Sequence, residues 1–235
     1  MKTFADKVLE FNEWLANVSL DLPEGYAVRN PFRGENQDQI KEITKLFYQK
    51  YYADNKKRFL ILGSSPARGG TAVTGIPFED AAHLYQETGI QIEHFHVNKS
   101  SSDFLYEVME GYGGCVKFYE DFVLSFVCPL GITHINTKGN EVNANYYESK
   151  KLEKALFDFI VESLQRQLSF GIDPSVCFCI GSGENFNFLT RINEQYHFFD
   201  QIIALEHPRY ITQYHGKDKD KYLKKYIELL NSINC

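Results

Sequence analysis

The chain has 235 residues, of which 43% are hydrophobic and 24% are charged. This composition excludes collagen-like, low-complexity and largely disordered chains, and the length suffices for a hydrophobic core without disulfide or metal crosslinks. The formal net charge of −6 disfavours a protein coated with basic side chains, but it leaves room for a local basic cleft.

The apolar pattern of the chain and its cysteines indicate a cytoplasmic protein. No run approaches 18 apolar residues, and residues 1–7 lack the apolar core of a signal peptide. Five cysteines at irregular spacing predict reduced thiols. They form no paired C-x-x-C motif, and Glu93, His94 and His96 are more typical of a surface segment than of a metal site. We therefore expect no metal, no cofactor and no association with a membrane.

Several segments have helical periodicity. The first is predicted from apolar residues three or four positions apart, namely Phe4, Val8, Phe11, Leu15 and Val18. Residues 19–36 contain two prolines and two glycines and are interpreted as an irregular connection. Further helices are predicted at about 37–53, 79–87, 102–112, 148–170, 184–195 and 218–231.

Four short apolar runs predict buried strands, at 59–62, 123–127, 176–180 and 202–205. Their alternation with helices indicates an α/β fold, a three-layer α/β/α sandwich with a four-stranded parallel sheet. We expect one domain over residues 1–235. It would comprise an N-terminal helical part (1–55), an α/β core (58–215) and a C-terminal helix (217–231).

Ligands of such sheets bind outside the carboxyl ends of the strands, which places loops 63–79, 128–145, 181–185 and 206–216 at the candidate site. The loop after the first predicted strand is rich in glycine and hydroxyl groups, which suit close contact with a phosphate or carbonyl oxygen. It lacks the Gly-Lys-Ser/Thr ending of a P-loop and the Gly-x-Ser-x-Gly elbow of acyl hydrolases. A turn without a ligand is an equally good interpretation of its glycines.

A histidine follows the last predicted strand, in the segment Glu206-His207-Pro208-Arg209-Tyr210. A histidine at this position can donate a hydrogen bond to a developing anion without itself titrating. The alternative interpretation is a histidine that only caps the edge of the sheet.

Together these segments resemble the uracil-DNA glycosylase superfamily. The resemblance rests on Gly63-x-x-Pro66 followed by Thr74-Gly75-Ile76-Pro77-Phe78, and on His207-Pro208-Arg209 much later in the chain. Further matches are Cys128-Pro129-Leu130-Gly131 and Gly181-Ser182-Gly183. The chain is most similar to the single-strand-selective monofunctional (SMUG-type) branch, over about residues 58–215.

The resemblance implies hydrolysis of the N-glycosidic bond of uracil, or of a related modified base, after the base is flipped out of DNA. Phe78 would stack on the flipped base, and His207 would donate to the pyrimidine O2 as negative charge accumulates there. Gly63, Gly75 and Pro77 would line the pocket. A loop carrying Pro208, Arg209 and Tyr210 would press into the minor groove.

The chain departs from the family pattern at two asparagines. Ser65 occupies the position of the asparagine that holds the attacking water, and a hydroxyl is shorter and no general base. Phe126, or its neighbour Ser125, occupies the position of the asparagine that reads the base. Asn143 and Asn145 are possible substitutes, although a polar turn before the long helix is the interpretation we favour for them.

Charge is consistent with a nucleic-acid partner. Residues 207–225 contain six arginines and lysines against two aspartates, and Arg68 lies in the first loop. We therefore expect a monomer that binds single- or double-stranded DNA carrying a damaged or deaminated base. Two alternatives remain: a catalytically weak or inactive member that only binds DNA or base, and a nucleotide-binding α/β protein.

Overall fold

A computed structural model describes residues 2–89 and 99–234. In these residues the strands are β1 (Tyr26–Arg29), β2 (Arg58–Gly63), β3 (Phe122–Phe126), β4 (Gly131–Ile135), β5 (Glu141–Ala144), β6 (Ile172–Ile180) and β7 (Gln201–Leu205). The α-helices are α1 (Phe4–Asn17), α2 (Gln37–Tyr52), α3 (Thr71–Thr74), α4 (Ala81–Thr88), α5 (Lys99–Tyr112), α6 (Cys115–Asp121), α7 (Lys150–Leu168), α8 (Glu184–Tyr196), α9 (Pro208–Tyr214) and α10 (Lys219–Asn231). Two short 3₁₀ turns, Gly216–Asp218 and Ser232–Asn234, flank α10.

The predicted four-stranded parallel sheet is confirmed. Its order is β3-β2-β6-β7, and all three neighbouring pairs are parallel. Leu60, Leu62, Cys177 and Cys179 are fully buried because helices cover the sheet and leave its central strands no solvent-facing side. The carboxyl ends of all four strands therefore meet at one edge, where the candidate loops begin.

The helices follow the predicted periodicity. In α1, the buried positions include Phe4, Val8, Phe11 and Leu15, while Val18 lies one residue beyond the last turn as its C-cap. Thr3 begins this helix with a capping box, in which its side chain accepts from the Asp6 N–H and Asp6 accepts from the Thr3 N–H. The packing of this face attaches the N-terminal helix to the core instead of leaving it as an appendage.

A fully buried arginine begins β2 and links it to the N-terminal helices. The Arg58 side chain donates to the Tyr119 carbonyl at 2.7 Å and to Asp54 Oδ1 at 2.8 Å, and it stacks on the rings of Phe4 and Tyr52. The carboxylate, carbonyl and ring faces together compensate for removing the guanidinium from water.

A second, antiparallel sheet was not predicted. Strands β1, β4 and β5 pair in the order β1-β4-β5, with Val28 opposite Ile132 and Thr133 opposite Asn143. The interpretation of 19–36 as irregular and of 128–145 as a loop was therefore wrong. These strands are only four or five residues long and mix polar with apolar residues, which gives too little periodicity to detect.

Two further segments were also misassigned. Residues 206–216, expected as a loop, contain α9, which begins with Pro208 at its first position and is N-capped by His207. The short helix α6 was not predicted at all. Within the described residues, no helix combines the length and apolarity needed to cross a membrane.

Candidate functional site at the carboxyl edge of the parallel sheet

Two asparagines of the β4–β5 hairpin hold the loop that follows β2. The Asn143 side-chain oxygen accepts from the Arg68 N–H at 2.8 Å, and the Asn145 side-chain oxygen accepts from the Ser64 hydroxyl at 3.3 Å. The favoured interpretation of these asparagines as a polar turn was therefore wrong, because Asn143 lies within β5 and both contact the candidate loop. With its oxygen occupied, Asn145 keeps two N–H donors in an exposed position.

Phe78 lies in an unusual backbone conformation beside this loop. Its φ is +62°, in the left-handed region that non-glycine residues rarely adopt. The Thr71 hydroxyl accepts from the Phe78 N–H at 3.0 Å, and the ring stacks against Phe126 with centroids 5.2 Å apart. The ring is thus held on one side by another ring and remains partly exposed.

Gly63 makes this stacking possible. A Cβ at position 63 would lie 2.6 Å from Phe78 Cζ and 2.9 Å from Phe126 Cδ1, closer than atoms tolerate. Only glycine therefore lets β2 end directly beneath both rings. The sequence identified Gly63, Phe78 and Phe126 separately, and the structure brings them together.

The turn before Phe78 is set by a second glycine. Gly75 has a φ of +73° and caps α3, and a Cβ there would lie 2.7 Å from Ile40 Cγ2. Gly75 and Pro77 line a cavity together with Phe126 and Asn12. Of the candidate substrate-binding residues, this cavity brings together Gly75, Pro77 and Phe126, whereas Gly63, Phe78 and Asn145 do not line it.

A buried carboxylate directly follows Phe78 in the chain. Glu79 is 2% exposed and accepts hydrogen bonds from the Tyr106 hydroxyl at 2.9 Å and from the Tyr119 hydroxyl at 3.1 Å. These donors compensate for burial of the carboxylate. Sequence reasoning missed Glu79 because its tyrosine partners lie 27 and 40 residues away along the chain.

The two serines of the first loop differ in their surroundings. The Ser64 hydroxyl is bonded to Asn145 and also to Tyr147, whose pKa is raised by burial despite that bond. Ser65, the predicted water-holding residue, is partly exposed, and its side chain forms no hydrogen bond within the described residues. Its hydroxyl is therefore available to a water molecule or a ligand.

His207 lies after β7 as the N-cap of α9. Its Nδ1 accepts from the Arg209 N–H at 3.1 Å. Burial of the half-buried ring, reinforced by the Arg209 charge, lowers its pKa from 6.5 to about 4. The ring is therefore neutral at pH 7, and because Nδ1 is an acceptor, the proton is on Nε2. The arrangement supplies a neutral N–H donor with a fixed tautomer.

Neighbouring contacts hold this histidine in place. The preceding residue, Glu206, pairs with Lys225 at 2.6 Å, and its carbonyl accepts from the Tyr226 hydroxyl. Both partners belong to α10, so the C-terminal helix fixes the strand end that carries His207. Tyr226 is buried, which raises its pKa and keeps it a donor.

The strand order sets the spacing across the site. β6 lies between β2 and β7, so the ends that carry Gly63 and His207 are about 10 Å apart at the usual spacing of neighbouring strands. The loop after β6 is joined to the hairpin side by Asn185, which accepts from the Tyr146 hydroxyl at 2.6 Å and donates to the Ile180 carbonyl at 2.9 Å. All three loops thus lie at the same edge of the parallel sheet.

The predicted DNA-contacting residues lie on two elements. Arg68 and Arg209 are exposed, and neither forms an ion pair within the described residues. Tyr210 is 46% exposed, and its hydroxyl is 2.8 Å from His215 Nε2. Pro208 is buried, and with Arg209 and Tyr210 it forms the first turn of α9 rather than a loop.

One cluster has side chains of the kind that bind metals, formed by Asp80, His83 and Asp103. Burial tends to raise the pKa of Asp80, but hydrogen bonds from Ser102 and His83 lower it overall. Asp80 also accepts from the Ala82 and His83 N–H groups as the N-cap of α4, so its oxygens already serve a structural role. The segment with Glu93, His94 and His96 lies outside the described residues.

Known proteins resemble this chain over most of its length. Residues 49–231 match the family model of the uracil DNA glycosylase superfamily. The solved structure of wild-type SMUG2 from Pedobacter heparinus is 46% identical and superposes with a TM-score of 0.93, over 100% of this chain and 99% of that one. No curated protein sequence matches the chain. The family match covers most of the residues that build the parallel sheet and its loops, and the chain therefore belongs to the uracil DNA glycosylase superfamily.

Proposed function

We propose that the protein is a DNA glycosylase that hydrolyses the N-glycosidic bond of uracil, or of a related modified base, flipped out of DNA. The observation that carries this proposal is the position of His207, whose Nδ1 accepts from the Arg209 N–H and which lies at the same sheet edge as Phe78. Family membership and the likeness to a SMUG2 structure support it.

The leaving base determines the chemistry. As the glycosidic bond breaks, its electron pair moves to the base, while the sugar becomes oxocarbenium-like. A preoriented neutral donor stabilises the developing oxyanion more than the starting carbonyl, which lowers the barrier. His207 would supply this donor from Nε2. Water would then add to the sugar carbon, with Ser65 accepting a hydrogen bond from that water. The proton that the water loses would pass through solvent to the departed base anion.

The base would be held by the elements around Phe78. The ring of Phe78 would stack on the flipped base, with Phe126 supporting its other side and Gly63 permitting the stack. Gly75 and Pro77 would shape the adjacent wall. The free amide N–H groups of Asn145 would donate to a base carbonyl, which would replace the asparagine that the family has at the position of Phe126.

DNA would be held by exposed side chains of the loop after β2 and of helix α9. Arg68 from the first loop and Arg209 from α9 would contact phosphates, and Tyr210 would contact the strand beside the flipped nucleotide. Buried Pro208 would contribute by starting the helix that presents them. We also expect the protein to act as a monomer.

The direct test is incubation with single- and double-stranded oligonucleotides that carry uracil or hydroxymethyluracil. Abasic product should accumulate on at least one substrate, and alkaline cleavage of the strand would detect it. Absence of product from every substrate at stoichiometric enzyme would refute the proposal.

Ser65 favours a second candidate, a protein that binds DNA without cutting the glycosidic bond. A serine hydroxyl is shorter than the asparagine amide of the family pattern and holds a water less firmly. Ser65→Asn separates the two functions, because it should raise excision in a weak enzyme. If binding is tight but neither the natural chain nor this variant yields abasic product, the binding function is correct.

A further inference from the structure

Helix α9 carries an exposed aromatic cluster, and Tyr210 is the only member of it to which the function proposed above assigns a role. Tyr214 is 73% exposed and lies one helical turn after Tyr210, so both rings share one face of the helix, with centroids 5.8 Å apart. His215 packs against Tyr210 at 4.7 Å and against Tyr222 at 5.5 Å. We call these four residues the α9 aromatic face.

This cluster differs from the other exposed apolar side chains. Leu46, Tyr85, Val116 and Ile135 are also exposed, but among these exposed side chains of the described residues only the rings of Tyr210 and Tyr214 pack against each other. Leaving two neighbouring tyrosines in water gives up the free energy that their burial would provide. The hydrogen bond between Tyr210 and His215 holds the exposed surface in one arrangement before any ligand binds.

The charges around the face suit a polyanion. Lys219 and Lys225 are engaged with Glu107 and Glu206, whereas Arg209, Lys217 and Lys221 form no ion pair within the described residues. Asp218 and Asp220 lie in the same segment, so the surface is mixed in charge, with cations in the majority. Cations beside exposed rings are typical of surfaces that bind single-stranded nucleic acid.

We propose that the α9 aromatic face binds unpaired nucleobases of single-stranded DNA, on one side only of the nucleotide held at His207. Helix α9 begins directly after His207, so the face continues the proposed catalytic site along the strand. Unpaired bases expose their π-faces to the rings, whereas stacked bases in a duplex do not. The surface therefore favours a single strand over a duplex. This inference rests on the proposed function for the position of the strand.

Binding assays with spacers test the proposal. The probe is a labelled single strand with a central 2′-fluorinated deoxyuridine, which resists excision. In two further probes, abasic spacers replace the two nucleotides on its 5′ or its 3′ side. Stacking on an aromatic ring changes affinity by about 5- to 150-fold per base, so we expect a loss of this size with spacers on one side and little loss on the other.

Variants locate the effect. Tyr214→Ala should weaken binding of the intact strand by a similar factor, and the spacers should no longer lower the affinity of this variant. Tyr214→Phe should have the same affinities as the natural chain. Tyr85→Ala, which removes an exposed tyrosine from helix α4, is the matched control and should leave the affinities unchanged. Because Tyr214→Ala removes no charge, the dependence of affinity on salt should keep its slope.

Three results would overturn the inference. In the first, spacers on neither side lower the affinity. In the second, the affinity of the Tyr214→Ala variant still falls with the spacers. In the third, Tyr85→Ala loses as much affinity as Tyr214→Ala. A protein that binds no single strand would overturn it as well. The proposed function is judged separately, by abasic product from uracil substrates, so a working glycosylase without this face remains recognisable.

Discussion

The role of His207 can be tested by separating its two tasks. Its Nδ1 caps α9 by accepting from the Arg209 N–H, and its Nε2–H is the proposed donor to the leaving base. His207→Ala removes both functions. His207→Asn keeps an acceptor at the N-cap, where asparagine is among the best residues, but it removes the imidazole donor.

Loss of the helix cap and loss of the donor predict effects of different size, the first on stability and the second on the rate of excision. Loss of an N-cap acceptor costs about 1 kcal/mol of stability, so His207→Ala should unfold at lower denaturant concentration while His207→Asn should not. Loss of a preoriented oxyanion donor costs roughly 2.7–4 kcal/mol of transition-state stabilisation, or about 10²- to 10³-fold in rate. Both variants should therefore lose excision by this factor, although only one loses stability.

Single-turnover excision at saturating enzyme measures the chemical step, and binding to an uncleavable substrate is measured in parallel. We expect affinity for DNA to change little, because His207 meets the base most strongly after charge has developed. Ser65→Ala should cost about tenfold at most, since bulk water partly replaces a serine-held water, well below the oxyanion-donor effect. If Ser65→Ala abolishes excision and His207→Ala has little effect, then water activation at the first loop carries the catalysis and our assignment is wrong.

Three further predictions concern the same edge of the sheet. Phe78→Ala should weaken both base capture and turnover, because stacking stabilises a flipped base by about 1–3 kcal/mol; equal excision by the variant would contradict the role of the ring. Gly63→Ala should lower unfolding free energy by about 1–3 kcal/mol and reduce excision, because its Cβ would collide with Phe78 and Phe126; chemical denaturation of both proteins checks this. The pKa of His207 is about 4 in the folded protein and 6.5 in the unfolded chain, so the unfolded chain binds more protons between these pH values. Acidification through this range should therefore lower the free energy of unfolding by up to about 3 kcal/mol, relative to the His207→Asn variant. Over the same range excision should not fall with a midpoint near pH 6.5, and such a midpoint would show that the histidine ionises in the folded protein.

The central sheet was predictable because each strand is a short apolar run that ends at a glycine, a proline or a polar residue. The strands of the small antiparallel sheet were not, since Thr133 and His134 interrupt the apolar pattern of β4. Helix α9 was missed although Pro208 marks a helix start, because residues 206–216 follow the last predicted strand and were interpreted as a ligand-binding loop.

The site was predictable only in its parts. The motifs identified Gly63, Phe78 and His207, but they contain no information on which side chains hold them. Asn143 and Asn145 contact the first loop across 75 and 81 residues of sequence. Contacts at such separation depend on the register of β4 and β5, which short polar strands do not specify on their own.

The left-handed backbone at Phe78 constrains how this position can change over time. Such a conformation costs a bulky residue about 1–3 kcal/mol, a cost that glycine or asparagine largely avoids. Without selection for activity, substitutions at position 78 should therefore tend to replace the phenylalanine with a residue that tolerates this backbone conformation. A lineage that gives up base excision should lose the aromatic at this position early, while Gly75 and the buried Glu79, which the fold itself requires, persist. We therefore expect the residue at position 78 to distinguish superfamily members that excise bases from members that have lost this activity.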